Sequence, residues 1–301
     1  MRWWLIGMLF CIVLAACTPQ PPSTDTRVVM LGTGNPNPDP LRSGPAVAVI
    51  AHGKVYLVDA GPGVVRRAAA ANKAGVAELT MPALNRVFIT HLHSDHTLGL
   101  PDLMLSPWVL DRSDPLTVYG PPGTVAMVDH LTQAYRADID NRLHGLEPIN
   151  KTGWNTKAVE IAPGMVYHGD GMTVTAFAVQ HGDWEHAYGY AFQTAERRIV
   201  ISGDTTPSAE IVAQCHGCDV LVHEVYSVAG FKTRPKDWQA YHAHSHTSTA
   251  QLAAIAKQAK PKLLVLYHQL YWGTTDDDLL REIKDAGYTG QVVSAHDLGV
   301  Y

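Results

Sequence analysis

Cysteine is scarce, with four in 301 residues, and two of these, Cys11 and Cys17, fall in the apolar N-terminal segment. A disulfide framework is thereby excluded. The remaining Cys215-His-Gly-Cys218 lacks the second pair that a four-ligand structural zinc requires, and a local disulfide or two free thiols stay open for it. Strong charge of one sign is absent as well. A net charge of -5 gives no footprint for a polyanion, so nucleic acid is not expected as a partner. No apolar run is long enough to span a bilayer, because Trp3 to Ala16 stops short. No repeat, composition break or long polar linker divides the rest, so residues 27–301 are expected to form a single α/β domain.

What the chain does have is Val87-Phe-Ile-Thr-His91-Leu-His93-Ser-Asp95-His96. Four apolar or β-branched residues read as a buried strand, and three histidines and a carboxylate follow within six positions, where open α/β sheets place their ligands. In an irregular turn His91 and His93 can converge on one ion while Asp95 and His96 point towards a second. Neutral imidazole with carboxylate suits zinc and its first-row neighbours.

The pattern recurs downstream. Thr173 to Val179 leads to His181, Arg198 to Ser202 to Asp204, Asp219 to Val222 to His223-Glu224, and Lys262 to Tyr267 to His268. Any one of these could be a strand cap, but together they line one edge of a packed sheet. Arg27 to Leu31, Ala46 to Ile50 and Lys54 to Asp59 open the domain as strands. Val64 to Ala71 and Gly123 to Tyr135 read as helices, and Arg136 to Thr156 is polar and less patterned. Ser248-x-x-Gln251 resembles a capping box for a helix that Pro261 stops. Asp59 is either a loop brace or a carboxylate that orients a metal-ligating imidazole.

The N-terminus resembles a bacterial lipoprotein signal: Arg2, the apolar run, then Leu14-Ala-Ala-Cys17. This resemblance implies a signal peptide over 1–16, lipidation of Cys17, and a Pro- and Ser/Thr-rich tether over 17–26. The folded domain would then lie outside the cytoplasm, facing the periplasm, held by lipid to the outer rather than the inner membrane.

His91-x-His93-x-Asp95-His96 followed by isolated His181, Asp204 and His268 resembles the metallo-β-lactamase fold superfamily. Gly32-Thr-Gly, Asp59-Ala-Gly-Pro-Gly63, Val222-His-Glu224 and His246-Thr-Ser-Thr-Ala are similar to its ribonuclease Z branch. Asn35-Pro-Asn-Pro-Asp-Pro, Arg42-Ser-Gly-Pro, Gly63-Val-Val-Arg-Arg and Leu266-Tyr-His-Gln are similar to the bacterial arylsulfatases of that branch. The resemblance implies a four-layer αβ/βα sandwich. It also implies two divalent ions, zinc or else manganese or iron, with His91, His93 and His181 on one, Asp95, His96 and His268 on the other, and Asp204 between them.

The activity implied is hydrolysis of a small-molecule sulfate ester, with a bridging hydroxide as nucleophile and Asp95 close enough to orient it. His246, held by Glu224, is the candidate proton donor to the leaving group, and a neighbouring carboxylate is expected to raise its pKa. A phosphodiesterase is the alternative, with lactonase activity and tRNA 3′-end cleavage ranked lower. Ribonuclease Z enzymes carry a long arm between the positions of His181 and Asp204, which here lie only 23 positions apart. Trp108, Trp184, Tyr226 and Tyr241 could stack on an aryl group, and a homodimer is open.

Overall fold

A computed structural model describes residues 26–301. The signal segment, nearly all of the tether and Cys17 lie outside the described residues. Thr26 already packs: it is buried, and its hydroxyl meets Thr194 Oγ1 at 3.1 Å.

Six strands, β1 (Arg27–Gly32), β2 (Ala46–Ala51), β3 (Lys54–Val58), β4 (Arg86–Phe88), β5 (Leu116–Gly120) and β6 (Thr156–Glu160), pair in chain order into a mixed sheet. A second mixed sheet takes up β7 (Gly164–Gly169), β8 (Met172–Val179), β9 (Ala187–Gln193), β10 (Arg198–Ile201), β11 (Val220–Tyr226), β12 (Leu263–Leu270) and β13 (Val292–Ser294). These lie in the reverse order from β13 to β7. The strands are near-continuous apolar runs because both faces are covered. In β1, Val28 and Met30 join the core between the sheets, while Val29 and Leu31 join the core under the helices. Phe88 ties the two sheets together, stacking on Tyr119 at 4.8 Å and meeting Phe192 edge-on at 5.8 Å. A third apolar cluster lies beneath Ala209–Cys215 and Thr249–Ala259 on the far side, which completes the expected αβ/βα layering.

The expected capping box at Ser248 and Gln251 is present, and the helix it starts runs over Thr249–Ala259. Cys215 and Cys218 are joined as a disulfide. The stretch expected to be irregular after Arg136 contains a helix, Arg136–His144, in which only Ile139 is buried. Ion pairs one turn apart, Arg136 with Asp140 at 2.9 Å and Asp138 with Arg142 at 3.1 Å, support it in place of an apolar stripe.

One polar side chain is enclosed by the first sheet's helices. Arg112 is fully buried and donates to the carbonyl oxygens of Leu84, Leu103, Met104 and Gly153 at 2.6 to 3.0 Å. Arg112→Met fills much of the volume but leaves four carbonyls without a donor. It is expected to cost more than about 3 kcal/mol, since each buried unsatisfied group costs roughly 1–3 kcal/mol. Urea denaturation reads this directly, and a midpoint within error of wild type would show that the four bonds contribute little.

Candidate metal centre

The His91 segment leaves β4 as extended backbone pinned from both sides. Thr90 N donates to Asp59 Oδ1 at 2.8 Å, Tyr188 N to Thr90 O at 2.9 Å, and Tyr190 Oη to Ile89 O at 2.7 Å. A single helical turn, Ser94–Thr97, then separates Asp95 and His96 from His91 and His93. Asp204 follows β10 through Gly203, whose φ of +62° and whose missing Cβ, which would stand 2.7 Å from Tyr188 O, require glycine.

Two expected placements differ in an informative way. Glu224 and His268 do not follow their strands but lie within them. In the β11–β12 ladder Glu224 faces Tyr267 and Val225 faces Gln269, so His268 is the extra residue of a bulge, with φ at +46°. A bulge breaks the two-residue alternation and re-aims the side chain, which brings His268 into the site from mid-strand.

All seven expected ligands converge. His93 Nδ1 lies 3.0 Å from both His91 Nε2 and His181 Nε2. His268 Nε2 lies 3.3 Å from Asp95 Oδ2, and His96 Nε2 lies 3.5 Å from that same oxygen. Asp204 stands between the groups, with His181 at 3.9 Å, His96 at 3.5 Å and His268 at 3.2 Å. The donor atoms of His91, His93 and His181, and those of Asp95, His96 and His268, each lie within 4.8 Å of one another.

These residues fit divalent ions. His96 Nε2 and Asp204 Oδ1 are buried and have no hydrogen-bond partner among the described residues, which is costly unless something else satisfies them. The opposite ring nitrogens are already engaged: His91 Nδ1 with Thr90 Oγ1 at 3.0 Å, His181 Nδ1 with Ser245 O at 2.7 Å, and His96 Nδ1 with Asp59 Oδ2 at 2.8 Å. Inward Nε2 lone pairs are thereby fixed. Burial holds His91 well below the ordinary imidazole value and His93 and His181 at about 4, so all three are neutral and able to ligate.

Asp59 therefore fixes the imidazole of a candidate ligand, as the sharper of its two sequence readings requires. Asp59→Asn removes the acceptor that fixes the His96 tautomer. Metal affinity is expected to fall about 10–100-fold, the usual effect of losing such a partner. Competition with a chelator measures it, and an unchanged affinity would reduce Asp59 to a loop brace.

Beside the cluster, His246 Nδ1 lies 3.1 Å from Glu224 Oε1 and 4.0 Å from Asp204 Oδ2. Glu224 Oε1 also accepts from Thr205 N and Thr247 N, at 3.1 and 3.2 Å. The expected rise in the His246 pKa is not found. Burial outweighs the pull of Asp204 and sets it at about 4, while burial and the Asp204 charge push Glu224 well up. Both shifts disfavour charge on this enclosed pair, and Glu224 Oε2 is buried with no partner among the described residues.

The four expected aromatics divide. Trp108 is core, with its indole N–H on Asn150 O, and Tyr226 is buried. Trp184 and Tyr241 border a cavity of about 360 Å³ over His93 and His181. Trp238, Trp272 and Arg234, not singled out by the sequence, line a neighbouring cavity with His246. Their signal was Trp238 and Tyr241 three apart ahead of His242, and Trp272 just past His268.

Two layered sheets whose shared edge carries paired histidine-and-aspartate groups are the arrangement of the metallo-β-lactamase fold, and the class so defined is metal-dependent hydrolases. The chain belongs to the beta-lactamase superfamily, whose domain matches residues 54–269. Ribonuclease Z of Mycobacterium sp. (strain KMS) is 35% identical over 246 residues, covering 81% of this chain and 84% of that protein. The metallo-beta-lactamase fold protein YhfI of Bacillus subtilis superposes with a TM-score of 0.70 at 18% identity, covering 92% of this chain and 99% of its own. Human tRNase Z, short form, gives 0.65 at 23% identity, covering 91% and 98%.

These relatives correct one expectation. Nucleic acid was excluded as a partner on net charge, yet relatives at 35% identity carry the name of a ribonuclease. The physical reason is that net charge sums the whole surface, whereas recognition depends on the local field at the site, where bound cations add positive charge.

Proposed function

We propose that the chain is a phosphodiester hydrolase that works with two divalent ions, RNA being among the substrates to be tested. His91, His93 and His181 would hold one ion, Asp95, His96 and His268 the other, and Asp204 would contact both. The imidazole-rich first group favours zinc over the harder manganese. When bound, such ions supply Lewis-acid charge at phosphorus and lower the pKa of water.

The observation that carries this reading is Asp204, within 4 Å of histidines from both groups and of His246. The chain's own residues then divide the remaining work. Asp59, Thr90 and Ser245 orient the imidazoles. Glu224 occupies Nδ1 of His246, which leaves Nε2 to meet the substrate, and the pair retains one transferable proton for the departing oxygen. Ribonuclease Z relatives at 35% identity support a phosphodiester over the sulfate ester.

The test is turnover by residues 26–301, zinc-loaded, on a bis-aryl phosphate, an aryl sulfate and an RNA oligonucleotide, with bound metal read by mass spectrometry. Diester or RNA cleavage well above sulfate turnover is expected, and dominant sulfate turnover would transfer the protein to the sulfatase reading. We further propose export and lipid attachment at Cys17, with which the Cys215–Cys218 disulfide is compatible. Radiolabelled palmitate is expected in the wild type and not in Cys17→Ser, and label in both would remove the assignment.

A further inference from the structure

A cavity of about 560 Å³ opens beside His246, with Trp238, Tyr241 and Trp272 in its wall alongside the polar Asn37, Arg234 and Asp237. We propose that it is a subsite for a heteroaromatic ring of the nucleobase class, carried on the leaving alcohol of the phosphodiester, and this rests on the phosphodiester reading above. The helix Lys236–Ser245 presents Trp238 and Tyr241 three residues apart on one face, their rings 5.7 Å apart and perpendicular. Both are large aromatics left open to solvent, at 49% and 42% exposure, whereas Trp108 is fully buried in the core.

Trp272 supplies a second indole to the same cavity at a conformational cost. Its φ of +47° lies in the left-handed region, which is strained for a bulky residue and persists where the surroundings impose it. That backbone sets the ring 4.4 Å from His242, which also stacks on the Trp238 indole at 5.5 Å and 23° and meets Tyr241 at 5.1 Å.

Two polar groups point to a ring with heteroatoms on its edge. Arg234 lies 6.0 Å from the Trp238 ring centre and 5.7 Å from that of Trp272, and no carboxylate lies within 4.0 Å of it among the described residues. His242 is 94% buried, given its 6% exposure, and its Nδ1 has no partner among the described residues. Stacking faces, a free guanidinium fork and an unpaired imidazole nitrogen match a ring bearing carbonyl or ring-nitrogen edges. A plain phenyl group would meet only the faces.

Location decides which side of the ester the ring comes from. Tyr241 borders both this cavity and the one over His93 and His181, so the two are neighbours across a single side chain. His246 lines the aromatic cavity and stands between it and Asp204. An alcohol leaving towards His246 carries its substituent into the aromatic cavity.

The experiment compares four esters of one 3′-nucleotide with the zinc-loaded protein. Their leaving groups are a 5′-nucleoside, its abasic ribose counterpart, 2-phenylethanol and ethanol. Within each pair the leaving oxygen is closely matched, so the kcat/KM ratio reports the ring. Trp238→Ala is expected to lower the nucleoside-to-abasic ratio about 5- to 150-fold, through KM, the span of base–aromatic stacking. Trp238→Phe should retain most of the ratio. An unchanged ratio would overturn the subsite, and a phenylethyl-to-ethyl ratio as large as the nucleoside one would overturn the heteroaromatic assignment. Calorimetric binding of adenosine 5′-monophosphate against ribose 5-phosphate reads the ring without turnover. If no diester is cleaved yet the nucleotide binds more tightly and Trp238→Ala removes the preference, the phosphodiester reading falls and the subsite stands. Loss of any ring preference in an enzyme that does cleave diesters sinks the subsite alone.

Discussion

Asp204→Ala is expected to hold fewer than two ions per chain and to lose more than about 10³-fold in kcat/KM, the scale of removing a principal stabiliser of transition-state charge. The reason lies in where the carboxylate stands. Asp204 is almost fully buried, and against the cost of that burial the imidazoles of His268 and His96 hold its pKa well below the usual carboxylate range. Its Oδ2 reaches both groups, standing 3.2 Å from His268 and 3.9 Å from His181, while Oδ1 lies 3.5 Å from His96. No other described carboxylate lies within 4 Å of both His181 and His268. Asp204→Asn keeps the volume and one acceptor oxygen but not the charge, so its metal content should fall between the alanine variant and wild type. Metal analysis after exhaustive dialysis, with turnover on the same sample, gives the answer. Two retained ions with near wild-type turnover would show that Asp204 does not join the two groups.

His246→Ala is expected to lose about 10²–10⁴-fold on diesters with alkyl or nucleoside leaving groups, the contribution typical of a positioned acid. A smaller loss is expected on activated aryl diesters. Phenols ionise near 10, far below aliphatic alcohols, so a phenolate departs with less need of a proton. Glu224→Gln separates two roles of the carboxyl. The amide oxygen can still accept from the Thr205 and Thr247 amides and so hold the side chain beside His246 Nδ1, which keeps the orientation while the titratable carboxyl is lost. This variant should therefore show the same leaving-group dependence with a smaller loss. Plotted against leaving-group pKa, log kcat/KM should fall more steeply for His246→Ala than for wild type. Parallel lines would remove His246 as the donor.

The fold and the histidines and aspartates that it brings together were largely legible in the chain because both depend on local pattern. Strands buried on two faces read as continuous apolar runs, and the expected ligands follow three of them, β4, β8 and β10, within a few residues. What was misread was decided at longer range. The helix Arg136–His144 is held by charge pairs and buries one side chain, so no apolar period announced it. Glu224 and His268 were assigned to strand ends, and only the β11–β12 register reveals the bulge that turns His268 inward. The His246 pKa was expected to follow its nearest charge, but enclosure by the second sheet and its helices reversed the sign. The nucleic-acid expectation failed because a composition total carries no spatial information.

The sequence by itself determined that this chain is a layered α/β domain with seven histidines and aspartates on one sheet edge, since strand period and strand-end chemistry are local properties. Only the tertiary structure decided that Asp204 lies within 4 Å of histidines from both groups, that burial lowers the His246 pKa and raises that of Glu224, and that Trp238, Trp272 and Arg234 share one cavity. Each of these depends on distances between segments tens to more than a hundred residues apart and on burial from water. Neither quantity is encoded in any short stretch of the chain.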